Sequence, residues 1–287
     1  MTVRSNISGE EKKAYTAGTF ITQVIMTITA ILFFAPVLII INYSFKSKQE
    51  LYLSNPLAFP ESLYLENYIT AFHKLSLTTT FSNTLFYTAV SVAILALLSG
   101  AAAWTIERCR NRFFKFSYVY FLIGILIPYQ ALFLPIYIIG YRSGLTNTRA
   151  GIILMYIATG MSFGVFLMSS FMKTVPLELE EAARIDGCSV YRTYFSIVMP
   201  LLKPAIATLT IMQAFQIWND YLMASLYLSK KDLRTLTVAM QALFSQQTSD
   251  YTTALAAIVI SVLPVAILFI ALQKYFVKGM TVGAVKG

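Results

Sequence analysis

Charged side chains are scarce. Of 287 residues, only 12% are Asp, Glu, Lys or Arg, and 57% are hydrophobic. A soluble domain carries about 25% charged residues, so this surface is built to face lipid. Histidine is nearly absent, with His73 alone, which excludes a histidine-based metal centre. The two cysteines, Cys109 and Cys188, form no CxxC pair and exclude a disulfide framework. Strand-like alternation is missing, which rules out a membrane barrel. No GxxxxGK(S/T) loop occurs, so the chain has no P-loop for ATP. Clustered acids, histidines or Ser–Lys pairs at one depth are absent too, and a membrane enzyme would need them. The net charge of +9 comes from short basic clusters between apolar runs, not from a continuous nucleic-acid patch.

What the chain has is six uncharged stretches long enough to cross a hydrocarbon core of about 30 Å. They lie near 19–42, 83–106, 116–140, 150–172, 204–226 and 252–273. Backbone groups in lipid must pair within their own segment, so the expected fold is an all-α integral membrane protein of six transmembrane helices. With residues 1–18 on the inner side, fourteen of the 22 lysines and arginines fall in inner segments and eight in outer ones. That bias puts residues 1–18 and 276–287 in the cytoplasm and both cysteines in a reducing compartment. The first apolar run lacks a small-residue cleavage site and reads as a retained anchor. The outer segments 43–82 and 227–251 are partly helical, with a short interfacial helix over 65–72. Prolines 36, 128, 135 and 264 sit inside spans, as hinges or cavity linings or simply as tolerated kinks. The small residues Ser99 to Ala103 allow a neighbouring helix to approach closely.

The inner loop 173–203 differs from the rest. Pro176 suits a helix start, and Glu178, Glu180 and Glu181 follow where carboxylates meet the positive helix end. Leu177, Ala182 and Ile185 supply an apolar side, and Gly187 suits a left-handed stop. A second helix is expected from Ser189 to Val198. A helix resting on anionic lipid would be basic, whereas 178–186 is acidic with Arg184 the only opposing charge. The loop is therefore read as a docking element.

Its ordered positions are Glu181, Ala182, Ala183, Gly187, Ile197 and Pro200. With QIWNDYL at 216–222 and FVKGMTVGAVKG at 276–287, they resemble the permease subunits of carbohydrate-uptake ABC importers, close to the maltose-transporter type. Met199 stands where that family usually has Leu, a volume-conserving change. The resemblance implies a cytoplasmic coupling helix, with Glu178, Glu181, Ala182, Ala183, Asp186, Gly187, Ile197 and Pro200 facing an ATPase. It implies a non-catalytic subunit with no cofactor of its own, ATP and Mg being held by the partner ATPase. The implied partners are a second permease in a heterodimer, two ABC ATPase subunits and an extracytoplasmic sugar-binding protein, in a bacterial cytoplasmic membrane. The tail 278–287 would reach toward the ATPases. Ser245, Gln246, Gln247 and Asp250 would lie where the outer loop approaches the binding protein.

The fifth span offers the groups that bind sugars, amides and an acid beside aromatic rings. Gln213, Gln216 and Asp220 are spaced to share one helix side, with Trp218 and Asn219 next to them. They are the candidate substrate path. The other reading makes Trp218 and Tyr221 interface-belt aromatics with Asp220 at the water boundary. A self-sufficient secondary transporter is the alternative function. It would need acids or histidines within its spans, and here only Asp220 adjoins one.

Overall fold

A computed structural model of the chain describes residues 17–55, 57–109, 111–245 and 250–284, and among them every regular element is helical. In order these are α1 Ala17–Ser44, α2 Lys48–Leu53, α3 Glu66–Lys74, α4 Leu77–Arg108, α5 Arg112–Leu126, α6 Phe133–Arg142, α7 Arg149–Met172, α8 Glu178–Ile185, α9 Val190–Thr193, α10 Met199–Leu201, α11 Lys203–Trp218, α12 Leu222–Tyr227, α13 Leu236–Ser245 and α14 Tyr251–Ala284. Short tight turns at Tyr129–Leu132 and Lys231–Leu233, and one wide turn at Tyr194–Val198, complete the set.

Four helices, α1, α4, α7 and α14, are each long and apolar enough to cross a membrane. Two bent pairs raise the number of candidate spans to as many as six, if each pair is one span. One joins Arg112–Leu126 to Tyr129–Arg142 with a 97° bend, and the other joins Val190–Leu201 to Lys203–Trp218 with a 74° bend. The third apolar stretch is thus not the unbroken rod that composition suggests; the 74° bend falls just ahead of the fifth, which is instead cut short at Trp218. Pro128 cannot continue α5, and the chain turns there. The fifth helix stops at Trp218, because Asn219 bonds back to the Phe215 carbonyl and Asp220 caps a separate helix, α12.

The core is a pack of α4, α7, α11 and α14, with α4 and α7 the most extensively paired. Small residues make that pairing possible. A Cβ on Gly164 would lie 2.9 Å from the Ser99 Cβ, and one on Gly160 would lie 2.7 Å from a Leu95 methyl. Gly160 and Gly164 are four apart on α7 and face the small-residue stretch on α4, the close-packing arrangement of membrane helices. By contrast α1 buries none of its apolar window within the chain.

Polar ties hold the far end. The Asn67 amide donates to the Ser44 and Lys46 carbonyls at 2.9 and 2.8 Å. Lys46 is fully buried and donates to the Ser54 hydroxyl at 2.8 Å. Asp250, just before α14, pairs with Lys74 at 2.8 Å and Lys48 at 3.3 Å. Burial raises its pKa, but hydrogen bonds from Lys74, Thr253 and Lys48 outweigh that and hold it at about 2.

Gly164→Val tests the helix pairing. The added side chain would need space that Ser99 occupies, and overpacking of this kind costs about 1–3 kcal/mol. Thermal unfolding in detergent should show a lower midpoint for this variant, with Leu154→Val, at an exposed position of the same helix, close to wild type.

Candidate functional site

The loop after α7 folds into α8, which begins at Glu178, two residues beyond Pro176. Three glutamates occupy its first turn, where the unpaired N–H groups favour negative charge. Its end is a Schellman turn. Gly187 has φ +75°, its N–H reaches the Arg184 carbonyl at 3.1 Å, and the Cys188 N–H reaches Ala183 at 2.9 Å. Ser189 caps the next helix, its hydroxyl accepting from the Arg192 N–H. The expected helix from Ser189 to Val198 forms only in part. After Thr193 the chain widens into a π turn over Tyr194–Val198, a geometry often found at functional places.

One glutamate is set apart from the others. Glu180 is 2% exposed. Its carboxylate accepts from Arg108 Nε at 2.8 Å and from Trp104 Nε1 at 2.7 Å. Arg108 also donates to the Val175 carbonyl at 2.8 Å. Charge-assisted bonds in so dry a place are strong, and they clamp α8 to the end of α4. Trp104 stacks on Tyr194 with ring centroids 5.4 Å apart, and the Tyr194 hydroxyl donates to the Leu97 carbonyl at 2.9 Å. Gly100 makes room for that hydroxyl, since a Cβ there would lie 2.8 Å from it.

The clamp leaves the opposite face bare. Glu178, Glu181, Ala182, Asp186, Gly187 and Pro200 are exposed, Ile197 is half-buried, and Ala183 is buried against the chain itself. Beside the acids stand Ile185 at 86% exposure, Val190 at 64% and Tyr191 at 79%. Three large apolar side chains thus stand exposed beside the acids on the turn between α8 and α9. Sequence reasoning placed Glu180 in the helix but missed its role, and it missed Trp104, Arg108 and Tyr194. The available signal was Trp104 and Arg108 four apart on one helix face, next to an apolar span and in need of an acid.

The second candidate region divides. Asp220 accepts from the Tyr156 hydroxyl at 2.8 Å and from the backbone N–H groups of Ala224 and Met223 at 2.9 and 3.4 Å. Trp218 is buried, donates to the Ser261 carbonyl at 3.0 Å and meets the Phe81 ring edge-on. Both are engaged within the chain, and Asp220 does not share a side with the glutamines because the helix has ended. Gln216 and Asn219 border an apolar groove of about 620 Å³ between α11 and α14. Gln213 and Gln216 line a smaller cavity of about 320 Å³ toward α5 and α7. In the outer loop, Asp250 is held by its two lysines, Ser245 closes α13, and Gln246 and Gln247 lie outside the described residues.

A family model described as binding-protein-dependent transport system inner membrane component matches residues 101–282. The probable starch degradation products transport system permease protein AmyC of Thermoanaerobacterium thermosulfurigenes is 39% identical over 259 residues, covering 90% of this chain and 94% of its own. The melibiose/raffinose/stachyose import permease protein MelC of Bacillus subtilis (strain 168) is 35% identical over 277 residues, covering 96% of this chain and 100% of its own. Among solved structures, the fold is similar to a chain from a bacterial ABC transporter involved in the import of the acidic polysaccharide alginate. That match has a TM-score of 0.82 at 24% identity, over 91% of this chain and 99% of the other.

Removing the clamp carboxylate should be far more damaging than removing its exposed neighbour. Glu180→Ala strands the Arg108 charge and the Trp104 N–H, a loss of about 3–5 kcal/mol for a broken buried pair. Glu181→Ala, on the surface, should stay within about 0.5 kcal/mol. Thermal unfolding of the two variants in detergent checks the difference, and equal midpoints would contradict the clamp.

Proposed function

The chain belongs to the family of binding-protein-dependent transport system inner membrane components, and from that premise we propose how it is driven and what it carries. It is the multi-pass inner-membrane permease subunit of an ABC importer for sugars, a non-catalytic component working with a periplasmic binding protein. In our reading it pairs with a second permease in a heterodimer, and two separate ATPase subunits hold the ATP and Mg. Both termini face the cytoplasm, in line with the excess of lysine and arginine in the inner segments. The cargo is an oligosaccharide, as the names of the sugar-importing relatives suggest.

One observation carries the coupling assignment. Helix α8 is fixed to the transmembrane core on one side by Glu180, while Glu178, Glu181 and Ile185 on its other side, with Tyr191 on α9, are exposed and have no hydrogen-bond or ion-pair partner among the described residues. A helix fastened behind and open in front is suited to being pushed. Small Ala182 lets a partner groove come close, and Glu181 offers a carboxylate to a partner arginine. Displacement of α8 would pass through Trp104 and Arg108 to α4, and through the π turn at Tyr194–Val198 to α11.

The outer loop around Ser245, Gln246 and Gln247 is proposed to approach the binding protein. Asp250 serves there as the tie that fixes the loop's exit, since both lysines already hold its carboxylate.

Glu181→Lys reverses charge at the docking face without touching the clamp. Co-purification of the ATPase with the variant should fall, or its ATP hydrolysis should no longer drive uptake. Wild-type yields of complex together with wild-type uptake would sink the coupling role.

A further inference from the structure

We propose that the break in the third span, together with α7 and α11, forms a subsite for one uncharged pyranose unit of the transported glycan. The inference rests on the importer reading given above and adds a place, a set of residues and a charge class.

The site is the cavity of about 320 Å³ where α5 ends. That volume is near the lower end for ligand pockets, which run from about 300 Å³, so it suits a ring and not a long chain. Helix α5 stops at Leu126, and Ile127 and Pro128 are extended, with ψ of 121° and 122°. The last carbonyls of a helix have no partner within it, and in lipid such groups are tolerated where they line a cavity. Broken membrane helices commonly border binding sites for this reason.

Polar groups converge on the space from three elements. Tyr129 enters from the break, Thr159 and Ser162 from α7, and Gln213 and Gln216 from α11. Among the described residues the Tyr129 hydroxyl has only a weak acceptor, the Met155 thioether at 3.7 Å. Thr159 donates to the Met155 carbonyl and keeps its lone pairs.

Gln213 is the decisive residue. It is 4% exposed, and among the described residues its amide has no hydrogen-bond partner. Gly160 gives it room, since a Cβ there would lie 3.0 Å from the Gln213 carbonyl oxygen. Buried amides are normally satisfied, and one left open beside a cavity is matched by a ligand that donates and accepts. Sugar hydroxyls do both. Phe163 and Met212 supply the apolar wall that a ring's C–H face needs.

The charge class follows from the lining. No lysine, arginine, histidine, aspartate or glutamate borders the cavity among the described residues. A uronate would bring a carboxylate into a place with nothing to pair it, at a heavy desolvation cost. A neutral hexose meets no such penalty.

The test uses the assembled transporter, with both permeases, the ATPases and the binding protein, reconstituted in vesicles. Uptake of raffinose, maltotriose and trigalacturonate is compared for wild type, Gln213→Leu and Gln216→Leu. For whichever neutral trisaccharide the wild type carries, each leucine variant should raise KM about five- to tenfold, the share of one neutral hydrogen bond. In detergent the Gln213→Leu chain should melt at the wild-type temperature or above, because it loses an open amide and gains an apolar side chain. A purely structural glutamine would melt lower, and that result overturns the subsite. So does wild-type KM in both variants, preference for trigalacturonate, or refusal of both neutral sugars. The importer reading fails separately, if uptake by the wild type does not depend on ATP.

Discussion

A buried carboxylate organises the end of this molecule where α8 meets α4. Glu180 sits where an unpaired charge would be intolerable, and the groups that satisfy it, Trp104 and Arg108, both belong to the last turns of α4. Its position thereby sets where α8 lies. Because Arg108 also holds the Val175 carbonyl, the approach to the helix is fixed along with the helix itself. The acids and apolar side chains on the other face point outward as a consequence.

From that anchor the structure grades from close packing to irregular backbone. Helices α4 and α7 approach closely where Gly160 and Gly164 meet Leu95 and Ser99, and Met168 and Met172 pack in the same core, a close-packed seam that transmits displacement. The irregular points lie elsewhere, at the left-handed Gly187, the π turn after Thr193, the bends after Leu126 and Leu201 and the helix end at Trp218. At the far end, buried Lys46 and the Asp250 ion pairs bind α2 and α3 to the start of α14. Helix α1 packs beside α14, yet its apolar window is left unburied within the chain.

Much of this could be read from residue order. The apolar runs of α1, α4, α7 and α14, the acidic helix α8, its glycine stop and the small-residue stretch on α4 each rest on one local rule and hold in the structure, while the third and fifth runs are broken. What could not be read is the partner of each polar group. Asp220 looks like a free acid beside a span until Tyr156, sixty-four positions away, is seen to donate to it. Asp250 looks like a loop residue until Lys74 arrives from α3. Pro128 was visible, but whether proline kinks a helix or ends it depends on what fills the space beyond. Glu180 and Glu181 are adjacent and chemically the same, and only helix phase against α4 makes one a buried anchor and leaves the other exposed.

The most direct trial of this arrangement is site-directed cross-linking in the intact complex. A cysteine placed at Ile185, on the bare side of the clamped helix, should couple to a nucleotide-hydrolysing subunit and be shielded from impermeant reagents added outside the cell. Labelling of that cysteine from outside, or cross-links that reach no ATP-hydrolysing neighbour, would contradict the account.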